Sequence, residues 1–450
     1  MSTATPASRS APHHVNAFDE SALNALLARR DEPAWLSERR RAAFEAFRSA
    51  AWPSLRDEEW RRTDIRALKL ADFSTPAGSE PSATAAASLN PAWDLLASHY
   101  AAGLMQVDGA AARRSPTERL PDGVIFTDLA TAAREHPELL RRHLLTTAVD
   151  PHTDLFTALH AAFWTSGALL YVPKGVQLDA PLFHLIGLAS TGSVDFSHTL
   201  VILEEGASAS LVQETASAPD RSQPGLHVGA VELIVGPSAH LRFVNIQNWD
   251  ERVWHFSRER AVVHRDATLQ WTVGGLGGRL AKVNQEVALA EQGAQAQVNG
   301  VMFTTGRQNL TYLTRQDHQA PHTTSDLLYK AGLKDQSRVV WKGMIRVEPH
   351  AQKTDAYQKN DNLILDEAAR ADSIPGLEIE ANDVRCTHGA TAGPVDPDMI
   401  FYLTSRGISR ETAIRLIVEG FFANVYDRIT LEPVRLTLEK AVAAKLGTGA

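Results

Sequence analysis

From about residue 171 the chain breaks into short apolar runs separated by turn residues, with no helical segment between them. LFHLIGL, HTLVILEEG, AVELIVG, HLRFVNIQ, RERAVVHRD, ATLQWTV, NQEVALAEQG and QVNGVMF each have strand length and are enriched in Val, Ile, Leu, Thr and aromatics. A weak repeat runs through them. EEGASASL, VGPSAHLRF, HRDATLQWT and AEQGAQAQV each place a turn, then a small residue, then alternating side chains. Their alanines, Ala207, Ala239, Ala267 and Ala294, lie 32, 28 and 27 residues apart. Loose periods between about 20 and 50 residues belong to architectures built coil by coil. The lack of intervening helices disfavours a doubly wound α/β sheet and leaves a parallel β-helix or a β-sandwich. Uneven spacing and frequent single-residue corners favour the β-helix.

The flanks read differently. FDESALNALLARR carries Leu23, Leu26 and Leu27 on a helical stripe behind Asp19 as cap. Residues 35–51 form a second helix stopped by Pro53, and 129–145 and 155–164 return to helical spacing. The stretch 74–88, rich in Ala, Ser, Thr and Pro, reads as a surface loop or linker. Past residue 395, Asp396 can cap a helix with Pro397 at its first position, and Gly407 falls where a left-handed C-terminal residue is wanted. A second helix starts behind Ser409, with Ala413, Ile417, Phe421 and Val425 on one face and Phe422 off it. That second apolar side either docks a partner or packs on the β core. The sequence therefore divides into a disordered tail (1–15), a mainly helical N-terminal domain (16–165), a parallel β-helix core (166–395) and a C-terminal helical domain (396–450).

A net charge of −8 with no basic block argues against a general nucleic-acid or membrane-surface role. One cysteine in 450 residues excludes an intrachain disulfide framework and points to a reducing compartment, the cytoplasm by default. The first residues lack the apolar core of a signal peptide. No stretch reaches the ~18 apolar residues needed to span a bilayer.

That single cysteine, Cys386, sits two residues before His388 in a Cys-Thr-His-Gly-Ala-Thr turn, where a structureless connection gives way to the capped helix. Thiolate and imidazole suit iron–sulfur chemistry, zinc and copper. A lone Cys-x-His is a weak pattern, because most cysteines are small buried hydrophobes. A closed site needs four ligands, so any cluster here takes donors from another subunit. Gly274, Gly275, Gly277 and Gly278 lack the spacing and following helix of a phosphate loop and read as a tight corner between strands. His318 and His322, with Asp317 and Asp326, form a minor metal candidate. Glu204 and Glu205 look like a solvated corner. No G-x-S-x-G elbow or H-E-x-x-H helix occurs, and nothing resembles a self-sufficient enzyme.

The run 351–409 contains QKTDAYQ, LEIEANDVRCTHGATAG and FYLTSRGIS in order, and it resembles the SufB/SufD family, scaffold subunits of the SUF iron–sulfur cluster assembly system. RQDHQAPHTTSDLLYKAGL and the strand-rich stretch from about Gly206 also fit. LRDEEWRRTDI and Cys-Thr-His-Gly-Ala-Thr look like the SufD branch, and so does the single cysteine, since a SufB-like subunit usually carries several. The resemblance implies a right-handed parallel β-helix between helical N- and C-terminal domains. It also implies a non-catalytic scaffold that pairs with a SufB-like subunit through the β-helix and docks the SufC ATPase. SufC docking would fall on the C-terminal helices, at Phe401, Tyr402, Ile417, Phe421 and Phe422. His388, with Cys386 close by, would lie at the SufB interface beside a transient iron–sulfur cluster shared with SufB and held by neither chain alone. A homodimer in isolation is open to such a chain. Two other readings are a structural adaptor that recruits SufC without binding metal, and a β-helix carbohydrate-active enzyme.

Overall fold

The computed structural model describes residues 17–74, 83–97, 99–115, 120–190, 192–218 and 224–447; the expected tail at 1–15 lies outside them. Two sheets wind around one core. The first runs through Gly103–Val107, Leu182–Leu188, Ser208–Ser217, His240–Asn248, Thr268–Gly275, Gln295–Thr304, Thr324–Leu333, Asp355–Ile364 and Arg385–Pro394. The second runs through Ser166–Val172, Ser197–Leu203, Gly225–Val235, Val253–Val263, Leu280–Leu289, Asn309–His318, Arg338–Val347 and Arg370–Ile379. Neighbours within each sheet are parallel, and from Ser208 onward successive strands alternate between the sheets. This is a parallel β-helix of about eight turns, and the sandwich alternative falls away. Trp271, Trp341, Tyr312 and Tyr329 fill its interior with at most 1% exposure, so the solenoid is a packed core rather than a pore.

The repeat has a physical basis at the corners. Gly206, Ser238, Asp266 and Gly293 adopt left-handed backbone conformations, each directly before one of the four alanines. Those alanines are fully buried, because the chain turns inward there and leaves room for little more than a methyl group. The pattern continues at His322–Thr323 and Lys353–Thr354, where threonines replace alanine. Their hydroxyls bond to each other at 3.2 Å across adjacent coils. The glycine run is a corner in part. Gly274 and Gly275 belong to a strand, whereas a Cβ on Gly277 would lie 2.1 Å from the Trp249 carbonyl oxygen and Gly278 has φ +88°.

The N-terminal region is mainly helical, as expected, but also contributes strands to both sheets. Helices Glu20–Ala28, Ala34–Ser49 and Leu155–Phe163 form as anticipated, and Pro137 splits the expected 129–145 helix into Leu129–Glu135 and Pro137–His143. Three short strands were not anticipated. Gly103–Val107 and Ala110–Arg114 form a hairpin at one end of the first sheet, and Ile125–Asp128 joins the second sheet antiparallel to Ser166–Val172. Within the expected linker, Ala83–Ser88 is helical.

A buried polar tie holds the helices to the solenoid. Glu232 accepts the backbone N–H groups of Leu145 and Val149 and contacts His198 Nε2 at 3.0 Å. Arg40, wholly buried, reaches both carboxylate oxygens of Glu32 and the carbonyls of Ala162 and Trp164. The segment around Trp60 lies along the second sheet. Thr63 meets Thr311 at 2.8 Å, Lys282 Nζ sits 4.6 Å from the Trp60 ring centroid, and Arg62 reaches Asp372 on Arg370–Ile379, the last strand of that sheet, at 3.3 Å.

The C-terminal helices Arg410–Tyr426 and Glu432–Leu446 pack against the side of the first sheet near Gln295–Thr304 and Thr324–Leu333. The buried face of the first is Ala413, Val418, Phe422, Val425 and Tyr426 rather than the expected Ala413–Ile417–Phe421–Val425 stripe. Phe422, fully buried, has its ring 6.4 Å from that of Phe303. Among the described residues no helix is long and apolar enough to cross a membrane.

Candidate functional site

Cys386 and His388 stand on a regular strand, Arg385–Pro394, and not in the turn expected from the sequence. Parallel pairing with Asp355–Ile364 draws the Cys-Thr-His-Gly-Ala-Thr run into the last coil of the first sheet. Register shows which way the two side chains face. Ser325, Ala356 and Cys386 occupy one column; Leu327, Gln358 and His388 occupy the next. Ser325, Ala356, Leu327 and Gln358 are all buried. Successive residues alternate faces, so Cys386 and His388 continue the inward-facing columns of the solenoid by one more coil.

Among the described residues no strand covers them. Arg385–Pro394 ends the first sheet and Arg370–Ile379 ends the second. On the second sheet, Gln316–Ile345–Leu377 and His318–Val347–Ile379 form the corresponding columns. Ile345 and Val347 are buried, but Leu377 and Ile379 are 38% and 40% exposed. The interior therefore opens at a mouth lined by Cys386 and His388 on one wall and by Leu377 and Ile379 on the other. Both terminal strands also present unpaired backbone edges, a ready template for another chain.

Cys386 is half-buried against the cluster that contains Ile345, Val347 and Ala356. Burial pushes its thiol above the ordinary range and the Asp355 carboxylate adds to this, against a hydrogen bond from the Ala356 backbone. The thiol is thus held protonated at neutral pH, and binding a metal requires the proton to leave. His388 is exposed. Among the described residues no group of three or more His, Cys, Asp or Glu side chains is arranged to hold a metal ion.

The other candidates resolve as structural. Both His318 nitrogens are engaged, by Thr323 and Ser325 at 2.8 Å each, and burial pushes its pKa down to about 4 against the pull of Asp317. His322 is a corner residue with φ +57°. Asp326 pairs with Arg428, and Asp317 with Arg315 and Arg346. Glu205 pairs with Lys174 at a corner. Leu377 and Ile379 are the mouth residues that sequence reasoning missed; the inward parity of the repeat, carried through to the last coil, would have found them.

Helix Pro397–Ser405 follows the last strand. Asp396 caps it, Pro397 is its first residue and Gly407 takes φ +84°, as the sequence indicates. None of its residues is buried. Met399, Phe401 and Tyr402 are 54%, 72% and 55% exposed. Ile417 and Phe421 are half-buried, and Lys330 Nζ donates to the Phe421 carbonyl at 2.6 Å.

Comparison with known proteins adds the decisive fact. Residues 186–421 match the family model described as "SUF system FeS cluster assembly, SufBD core domain", and residues 16–183 match "SufBD protein N-terminal region". The chain belongs to the SufBD family of iron–sulfur cluster assembly. An iron-sulfur cluster assembly SufBD family protein of Staphylococcus saprophyticus is 33% identical over 335 residues, covering 74% of this chain and 72% of the relative. Another, from Staphylococcus epidermidis, is 34% identical over 311 residues, 69% of this chain and 66% of its own length. A Staphylococcus aureus member is 32% identical over the same extent. The matches thus span 66% to 72% of these relatives' length. The SufBD core match starts inside the first coils and runs through the mouth into helix Arg410–Tyr426.

Proposed function

We propose that this SufBD protein is a non-catalytic, SufD-like scaffold subunit that completes a cluster-building site only when a second solenoid closes its open end. The observation that carries the reading is the mouth itself. Two soft donors, Cys386 and His388, lie in inward-facing columns at a terminal coil that no described strand covers. A SufB-like subunit stacking its own coil there would pair both strand edges, bury Leu377 and Ile379, and bring further donors to the same cavity. The nascent iron–sulfur cluster is cargo in this scheme, shared across the seam and released to a recipient.

The exposed helix Pro397–Ser405 suits the docking of a SufC ATPase. Phe401 and Tyr402 offer an exposed aromatic surface, with the Arg406 guanidinium 4.3 Å from the Tyr402 ring centroid, and Ile417 and Phe421 lie half-exposed on the next helix. Phe422 supports that surface from within the core.

The test is anaerobic cluster assembly on a complex co-expressed with SufB-like and SufC partners. His388→Ala leaves the complex intact by sizing and lowers the iron and sulfide retained per complex by at least about tenfold, the effect of losing roughly 1.4 kcal/mol of binding. Full cluster content in an intact His388→Ala complex would reduce this chain to an adaptor.

A further inference from the structure

One coil below the mouth, three adjacent inward-facing columns change chemistry together. Trp271, Val298 and Leu327 lead to Gln358; Val273, Gly300 and Tyr329 lead to Asn360; Gly275, Met302 and Ala331 lead to Asn362. All three amides are buried, at 0%, 0% and 4% exposure. An apolar side chain in each place would simply continue the packed core. Gln358 shows that the change does not serve stability. Its Oε1 has no hydrogen-bond partner among the described residues, a cost that the leucine of the preceding coil does not carry. The facing wall makes room for the amide, since a Cβ on Gly343 would lie 2.4 Å from that oxygen.

What the amides hold is the last coil. Gln358 Nε2 crosses the core and donates to the Gly376 carbonyl at 2.9 Å, on the wall of the mouth that carries Leu377 and Ile379. Asn362 Nδ2 donates to the Thr391 carbonyl at 3.0 Å, on the strand that carries Cys386 and His388. It also donates to Asn360 Oδ1 at 2.7 Å, and Asn360 Nδ2 is anchored in turn on the Tyr329 carbonyl at 3.4 Å, one coil further in. The Thr391 hydroxyl adds a bond to Asp361 at 2.7 Å. Each wall of the mouth is therefore tied by a side chain from the coil beneath it. The two walls are the end strands of their sheets, with a ladder on one side only, and such strands open first. A docking surface that is ordered before its partner arrives avoids the cost of ordering on contact.

We propose that Gln358 and Asn362 are positioning residues of the mouth, holding its two terminal strands in docking geometry before a second solenoid closes them. The role assigned to the docking geometry rests on the scaffold reading; the tie itself does not.

Hydrogen exchange on the free chain and interferometry with a purified SufB-like partner test it. Gln358→Leu and Asn362→Ala install the residues that the same columns carry one coil earlier. Both variants should fold with Tm unchanged or raised. Amide exchange over 376–379 and 388–392 should quicken about tenfold in each and about a hundredfold in the double variant, the effect of one and two lost hydrogen bonds, with the inner coils unchanged. The double variant should bind the partner about tenfold more weakly, because an end ordered only part of the time docks in proportion to that fraction. Unchanged exchange in the folded double variant would show that the amides do not hold the terminal strands. Faster exchange with unaltered affinity would show that they serve the free chain alone, and would equally overturn the positioning role. Failure of the unaltered chain to pair at all would count against the scaffold reading instead, leaving the tie to be decided by the exchange rates.

Discussion

Trimming Leu377 and Ile379 to alanine should weaken pairing with a SufB-like subunit by an amount that the free chain already fixes. Full burial of a leucine or isoleucine side chain is worth about 1.5–3 kcal/mol. Roughly two fifths of each remains exposed at the mouth, 38% and 40%. Covering that remainder therefore contributes about 0.6–1.2 kcal/mol per residue, or about 1.2–2.4 kcal/mol for the pair. The double alanine variant should raise the Kd about eightfold to sixtyfold. The portions already buried will also be lost from the free chain, so its own stability must be read separately by urea unfolding, and affinity measured only on folded protein. Leu377→Lys sharpens the test. In the free chain the ammonium reaches water past its own stem, but a stacked partner would trap it without a counter-ion. That variant should pair at least about a thousandfold more weakly, the consequence of several kcal/mol of uncompensated burial. Sedimentation or interferometry with purified partner measures both. Affinities within twofold of the unaltered chain, on folded variants, would show that the partner sits elsewhere and that the open coil is not the seam.

Two further outcomes follow from groups with displaced titration. The Cys386 thiol lies above its ordinary range through burial and the Asp355 charge, so alkylation in the free chain should be slow at pH 7 and accelerate through the alkaline range; Asp355→Asn, by removing the carboxylate charge, should speed it at any fixed pH, and an unchanged rate would contradict the assigned cause. Glu259 is pushed up to about 7 by burial, against hydrogen bonds from Ser257 and Asn245. A carboxyl whose folded pKa exceeds its unfolded value contributes stability that is full below about pH 4.5 and is lost as pH rises through about 7. Glu259→Gln keeps an acceptor for both donors and should be neutral or slightly destabilising near pH 5 but stabilising at pH 8, by on the order of 2–3 kcal/mol, in paired urea titrations.

Much of the solenoid was legible because its corners impose a local rule. A left-handed residue followed by a buried small one forces Gly, Ser or Asp and then Ala, and four successive coils obey. The next corners escaped notice because His322 and Lys353 are unusual left-handed residues and Thr323 and Thr354 replace the alanine. There, interstrand pairing and the threonine ladder override local preference. The hairpin at 103–114 was missed for a different reason. AAARR is rich in helix formers, and its partner strand is only five residues long. The signal was present in Asp108–Gly109, both left-handed, the dipeptide that two-residue hairpins prefer. The Cys386–His388 pair was found by chemistry while its setting was misjudged. GATAG looks like a loop alone, and only the parallel ladder to Asp355–Ile364 makes it a strand.

The two ends of the solenoid differ in a way that bears on function. Repeat proteins ordinarily close both ends with atypical, polar units, because an exposed coil offers both an apolar face and free backbone edges. This chain closes one end in that way. Ala110–Arg114 turns antiparallel at the start of the first sheet and exposes Arg113, and Ile125–Asp128 does the same at the start of the second sheet. At the other end the chain makes no such investment. It runs ten residues of parallel strand to the brim in each sheet, leaves two aliphatic side chains exposed there, and then leads away through a helix with no buried residue, while its last two helices pack on the flank. An end built this way is stable in solution only at a cost that a second solenoid would remove, and the one thiol of the chain and an exposed imidazole stand together at that same brim.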